Sequence, residues 1–393
     1  MTQKRLSIIT LICFALGIIV GFLVPNFCLS ISFLGTAYVN LLKVMIVPVL
    51  FTSIASSLSK ASTGRATRVT IKAVMLFIVM FICSFLISMG LITLIKPGVG
   101  FNFTPVDWGG EITSTTFSEF FISIFPSNII ESMRTNAILP VILFAFVFGL
   151  AVAKSESTRL VILLEDLSNS LNTMLRYIMY LTPVGVFALM GNTVASYGID
   201  VIKSALIYIG TAWLGCWVIA LLVMILPVWI FAGINPWSYI KRVYKIWLIT
   251  LSTCASAATL PHTIKMCNEE FNIPSDITNI VVPLGCTIHM CGGAVSFSLL
   301  AMFNMEMYGI PMTWATFAVM LIAALLINMG APGIPGGGIV IGASYLSLLG
   351  LPLTFIGFYA GIYRLLDMVY TTMNVFGDIS ANILINHSEN KGG

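Results

Sequence analysis

The sequence predicts an all-α, polytopic membrane protein, and three observations carry that prediction. Of 393 residues, 58% are hydrophobic and 9% charged, against about 25% charged in an ordinary soluble domain. A water-soluble fold of this length could not cover its surface with so few charges. The apolar residues come in long uncharged runs, beginning with Leu6 to Phe27, and about 20 such residues cross a hydrocarbon core. Basic residues gather in alternate connections between these runs, which sets the orientation of the chain.

The runs predict spans over 6–25, 33–58, 70–95, 136–154, 168–194 and 203–232. No short apolar region with a small-residue cleavage site stands apart at the start, so the first run reads as a retained span. Lys4 and Arg5 precede it; Lys60, Arg65, Arg68 and Lys72 follow the second run; Lys154 and Arg159 follow the fourth; Lys241, Arg242 and Lys245 follow the sixth. The intervening connections are acidic or nearly bare, with Asp107, Glu111 and Glu119 in one and Asp200 and Lys203 in the other. This pattern predicts a cytoplasmic N-terminus in a bacterial inner (plasma) membrane. Basic residues confined to short connections exclude a nucleic-acid partner. The aromatic, acidic stretch Phe101 to Phe125 is expected at the outer surface. The eight cysteines lie mostly inside apolar runs and read as small buried hydrophobes, not a disulfide framework.

After about residue 233 the regular pattern breaks. Trp247 to Cys267 is interrupted by Ser252-Thr-Cys-Ala-Ser-Ala-Ala-Thr-Leu-Pro261, Ile277 to Phe303 by Gly285-Cys-Thr-Ile-His-Met-Cys-Gly-Gly293, and Trp314 to Leu349 by Gly330-Ala-Pro-Gly-Ile-Pro-Gly-Gly-Gly338. Broken backbone survives in hydrocarbon only when buried in protein or lining a wet cavity. Interrupted apolar segments therefore point to a binding site. The first and third predict re-entrant hairpins; the alternative is kinked helices packed through small residues.

The last apolar stretch, 353–385, carries Arg364, Asp367 and Asp378. Charges at such depth are costly and functional by default. At 100° per residue, Arg364, Asp367, Thr371, Asn374 and Asp378 fall within an arc of about 80°, which Tyr370 widens to about 120°. Two carboxylates with neutral oxygens between them suit a substrate ammonium and a hard monovalent cation. The plainer readings are an Arg364–Asp367 ion pair and, for Asp378, a snorkelled acid near the inner end.

These motifs resemble the dicarboxylate/amino acid:cation symporter family, the glutamate transporter homologues. Leu41 to Pro48 resembles its second span, Thr182 to Ala188 its fifth, Thr259-Leu-Pro261 the tip of its first hairpin, and Pro283 to Gly292 its broken seventh span. Gly333-Ile-Pro-Gly336 resembles its second hairpin, and Asp367 through Asn374-Val-Phe-Gly-Asp378 its eighth span. The resemblance implies eight spans and two re-entrant hairpins in a homotrimer working as an elevator. Residues 1–69 and 136–202 would form the scaffold, and 70–135 (third span and outer loop) and 203–393 the transport domain. It further implies that Asp367 binds a substrate ammonium, that Tyr370, Thr371 and Asn374 meet substrate polar groups, and that Ser256 with the backbone at Ile334 and Gly338 holds a carboxylate. One sodium site would comprise Gly285, Asn374 and Asp378; a second would use carbonyls of Thr287, Asn328, Met329 and Ala331. No cofactor is implied beyond Na+ and/or H+ as coupling ion.

The departures from the family pattern are as informative. The usual Asn-Met-Asp-Gly-Thr of the seventh span is His289-Met-Cys-Gly-Gly293, and the third-span polar positions that complete one sodium site are Phe77, Met80 and Phe81. A hard cation needs oxygen ligands, so that site is expected to be missing. His289 could carry a coupling proton, or be a neutral, hydrogen-bonded residue at a helix break. Tyr370 stands where the family's arginine reads a distal carboxylate, and Tyr363 replaces an acid one turn earlier. A neutral or polar amino acid is therefore expected as substrate, with an acidic amino acid or C4-dicarboxylate open through Arg364. A channel is disfavoured because the charges concentrate on one span. A soft-metal protein built on Cys286, His289 and Cys291 is disfavoured by their spacing, and an enzyme by the lack of a nucleophile–base motif.

Overall fold

A computed structural model describes residues 3–59, 65–99, 122, 124–135, 137–155, 157–198, 200–329, 336–353 and 355–391. Among them every regular element is helical. The first spans are α1 (Gln3–Leu23), α2 (Pro25–Ser30), α3 (Ser32–Val44) and α4 (Ile46–Ser59), followed by α5 (Arg65–Ile95). The run expected as one helix over 33–58 is thus divided at Met45. Pro48 is the reason: it has no N–H to donate back and is best accommodated in the first turn of a new helix. Most of the expected outer-surface stretch, 101–121 and 123, lies outside the described residues.

Next come α6 (Ile129–Arg134), α7 (Ile138–Lys154), α8 (Thr158–Met179) and α9 (Thr182–Tyr197). The expected span 168–194 is corrected here, because α8 and α9 meet at a 51° bend. Pro183 in the first turn of α9 cannot continue the hydrogen-bond ladder of α8, whose charges Arg159, Glu165, Asp166 and Arg176 mark it as amphipathic. The sixth run is one long rod, α10 (Asp200–Ile219), a π-turn (Ala220–Ile225) and α11 (Leu226–Ala232). The π-turn ends two residues before Pro227, and such a bulge accommodates the carbonyl that proline leaves without a donor.

The interrupted region resolves into helical pairs. α12 (Pro236–Thr253) turns into α13 (Ser256–Glu270) at Cys254, whose φ of 48° is left-handed. The reversal comes five residues before Thr259-Leu-Pro261, expected as the tip, which instead occupies the start of α13. α14 (Ser275–Ile288) and α15 (Cys291–Met307) are separated by extended backbone at His289. α16 (Trp314–Asn328) and α17 (Gly337–Leu348) form the second pair. Their connection, 330–335, lies outside the described residues, Ala331 and Ile334 with it.

The chain ends in α18 (Phe355–Lys391), longer than the expected 353–385. It runs against α5, α9, α10 and α11 on its flanks and against α12, α13, α14, α15 and α17 of the helical pairs. Its far end is tied to the start of α5 by Glu389, which meets Arg68 at 2.9 Å and Lys72 at 2.5 Å. Among the described residues, three helical stretches are each long and apolar enough to cross a membrane (68–95, 202–232 and 275–307), and the bent pair α8–α9 would make a fourth.

Candidate substrate and ion site

The breaks in the late helices place helix ends, not helix flanks, in the interior. A cavity of about 50 Å³ is lined by Ser256, Gly293 and Gly338, the first, third and second residues of α13, α15 and α17. Three helix N-termini therefore converge on one space, and their positive poles favour an anion. Asp367, Tyr370, Thr371 and Asn374 of α18 line its other side. Close approach requires the glycines: a Cβ on Gly338 would strike the Tyr363 hydroxyl, and one on Gly292 the Tyr370 backbone.

Asp367 is 6% exposed, and its carboxylate is held by donors. The Gly336 N–H donates to Oδ2 at 3.0 Å; Thr371 Oγ1 and the Tyr363 hydroxyl donate to Oδ1 at 3.2 and 3.4 Å. Asp367 thus fastens the start of α17, where Gly336 adopts a left-handed φ of 77° that suits glycine. Arg364, one turn away, acts electrostatically on Asp367 and on Cys254 but does not line the cavity. The Tyr370 hydroxyl is buried and, among the described residues, makes no hydrogen bond. An orphaned buried hydroxyl on a cavity wall marks a place for a ligand's polar atom.

A second cluster lies at the break between α14 and α15. His289, 1% exposed, places Nδ1 3.0 Å from Asp378 Oδ1 and Nε2 3.0 Å from Cys291 Sγ. With Asp378 ionised, all three groups are satisfied when Nδ1–H donates to the carboxylate and the Cys291 thiol donates to Nε2. Phe77 of α5 stacks on the ring at 4.4 Å between centroids with 12° between planes. Nearby, Asn374 Oδ1 accepts from the Gly292 N–H at 2.8 Å. The Asn328 amide, oriented to satisfy both ends, exchanges two 3.3 Å hydrogen bonds with the Met290 backbone.

Comparison with known proteins agrees with this architecture. The sodium:dicarboxylate symporter family matches residues 6–388. The chain belongs to that family. As a sodium:dicarboxylate symporter family member it is an integral membrane transport protein, not an enzyme, and its transport is cation-coupled. It is 27% identical to the proton/glutamate-aspartate symporter of Bacillus subtilis over 98% of this chain and 95% of that one. It is 29% identical to a proton/sodium-glutamate symport protein of Bacillus caldotenax, covering 96% and 94%. Identity to a C4-dicarboxylate transport protein of Laribacter hongkongensis is 26%, covering 98% and 88%.

Of the residues singled out from sequence, the structure brings Ser256, Gly338, Asp367, Tyr370, Thr371 and Asn374 around the one cavity, with Asn328 beside them. Ile334 and Ala331 fall outside the described residues. Asp378 is not a surface acid near the inner end: it is 2% exposed, and α18 continues thirteen residues beyond it. Met290, Gly293, Ser296, Phe297 and Ile341 also line the cavity and were not singled out. Their one legible signal was proximity to the Gly292-Gly293 break; Ser296, Phe297 and Ile341 sit in ordinary apolar helix. Among the described residues no three His, Cys, Asp or Glu side chains are arranged to hold a metal ion.

Proposed function

We propose that the protein takes up a small neutral or polar amino acid by cation-coupled symport across the bacterial plasma membrane. The observation that carries this reading is charge pairing within the cavity. One carboxylate, Asp367, faces three helix N-termini, and among the described lining residues none is Lys or Arg. A zwitterion satisfies both: its ammonium meets Asp367, its carboxylate meets the N–H groups of α13 and α17, and its side chain meets Tyr370. A second carboxylate would enter without a guanidinium to meet it. A cavity of about 50 Å³ holds a few waters, since about 10–15 Å³ suffices for one. Admitting an amino acid therefore requires the lining to open, and the Gly336–Asp367 bond is one contact that such an opening would break. Eight crossings, a homotrimer and elevator motion of 70–135 with 203–393 against 1–69 with 136–202 complete the proposal.

The names of the relatives favour a second reading, an acidic amino acid or C4-dicarboxylate recognised through Arg364. Thermal stabilisation of the purified protein separates the two. Serine, threonine or alanine should raise the melting temperature at concentrations where glutamate, aspartate and succinate do not, because a ligand at 100 times its Kd stabilises by about 2.7 kcal/mol. Stabilisation by the diacids alone would reverse the assignment.

A further inference from the structure

We propose that the imidazole of His289 is the resident occupant of one coupling-ion position: the oxygens of Gly285, Asn374 and Asp378 take no sodium, and at most one sodium ion accompanies each substrate. This deepens the symport reading above and rests on it.

One oxygen of each residue that the family resemblance assigns to that position is engaged inside the chain. The Gly285 carbonyl accepts from the His289 N–H at 2.9 Å, Asn374 Oδ1 from the Gly292 N–H at 2.8 Å, and Asp378 Oδ1 faces His289 Nδ1 at 3.0 Å. His289 therefore meets two of the three residues, Gly285 through the last main-chain bond of α14 and Asp378 through its ring. The ring is also held by further contacts. Phe77 covers one face, Cys291 Sγ meets Nε2, and Cε1 sits in the space left by the missing Cβ of Gly377. Asp378 in turn fills the space left by the missing Cβ of Gly285. Both glycines make room for this pair.

The surroundings do not fit a sodium ion. A hard cation must replace its water with several oxygens at once, whereas the ring of His289 brings a phenyl ring and a thiol, carbon and a soft sulfur, beside Asp378. Placing sodium between Gly285, Asn374 and Asp378 requires the ring to swing out. Its release would break the Asp378 contact, the Cys291 contact and the stack together. What remains for a cation are carbonyl ends such as those of α14 and α16 near Thr287, Asn328 and Met329, which carry the negative pole of their helices.

The chain has three histidines, so nitrogen NMR of histidine-labelled full-length protein reads His289 directly. His262→Asn and His387→Asn assign the other two rings. Replacing choline by saturating sodium should leave the His289 ring resonances unmoved; a saturable sodium-dependent shift overturns the proposal. In proteoliposomes, a tenfold drop in sodium should weaken apparent substrate affinity by tenfold or less, by linkage. A hundredfold loss, the signature of two sodium ions, also overturns it. Failure of every amino acid and dicarboxylate to be taken up would sink the symport reading, while the resonances would still decide the state of the ion position.

Discussion

Asp367→Asn is expected to remove uptake of amine-bearing substrates while leaving the protein folded. The carboxylate accepts from three groups, the Gly336 N–H and the hydroxyls of Thr371 and Tyr363. An asparagine keeps this arrangement: its oxygen takes the Gly336 N–H, and its NH₂ donates to the two hydroxyls, which rotate to accept. What it loses is the charge that a substrate ammonium would meet in a site 6% exposed. Removing one partner of a buried charge pair costs about 2–5 kcal/mol, or about 30-fold to several thousand-fold in affinity. Binding of the amino acid that stabilises the wild type measures the loss, and the melting temperature without ligand checks the fold. A hydroxy acid of the same shape should lose far less than the amino acid. Unchanged amino-acid affinity in a folded variant would remove Asp367 from the recognition site.

How much of this site could be read beforehand depends on whether its geometry is local. The polar face of α18 was legible because 100° per residue fixes the relation of Asp367, Thr371, Asn374 and Asp378 without knowledge of anything else. The helix breaks at His289 and Gly336 were legible because glycine, proline and polar residues are costly in an apolar run. The His289–Asp378 contact is not, because its partners stand 89 residues apart in sequence; the sequence leaves His289 between proton carrier and structural residue, and Asp378 between sodium ligand and snorkelled acid. The bend between α8 and α9 was missed because the leucines and isoleucines of an amphipathic helix merge with the apolar run after it, and only Pro183 marks the join. The first hairpin was placed five residues late because Pro261 is the more obvious breaker. The chain instead reverses at Cys254, a left-handed position that nothing in its residue type announces.

His289→Ala should destabilise the protein and, at the same time, make it responsive to sodium. Deleting the ring leaves the Asp378 carboxylate, 2% exposed, without the group that faces its Oδ1, and leaving a buried acceptor unsatisfied costs about 1–3 kcal/mol, more when it is charged. Loss of the Phe77 stack adds to this, because the vacated volume cannot collapse fully against a rigid helix break. Adding Asp378→Asn should recover part of the loss, since a neutral amide is far cheaper to bury than an unpaired carboxylate. The single variant also frees an anionic oxygen beside the Gly285 carbonyl and opens space next to it. A sodium ion can then enter and stabilise the folded state by mass action. The rise in melting temperature on exchanging choline for sodium should therefore be larger in His289→Ala than in the wild type, and should fall back once Asp378→Asn is added. If the sodium response is the same in all three proteins, the ring is only filler in the core, and the coupling ion binds elsewhere whether or not His289 is present.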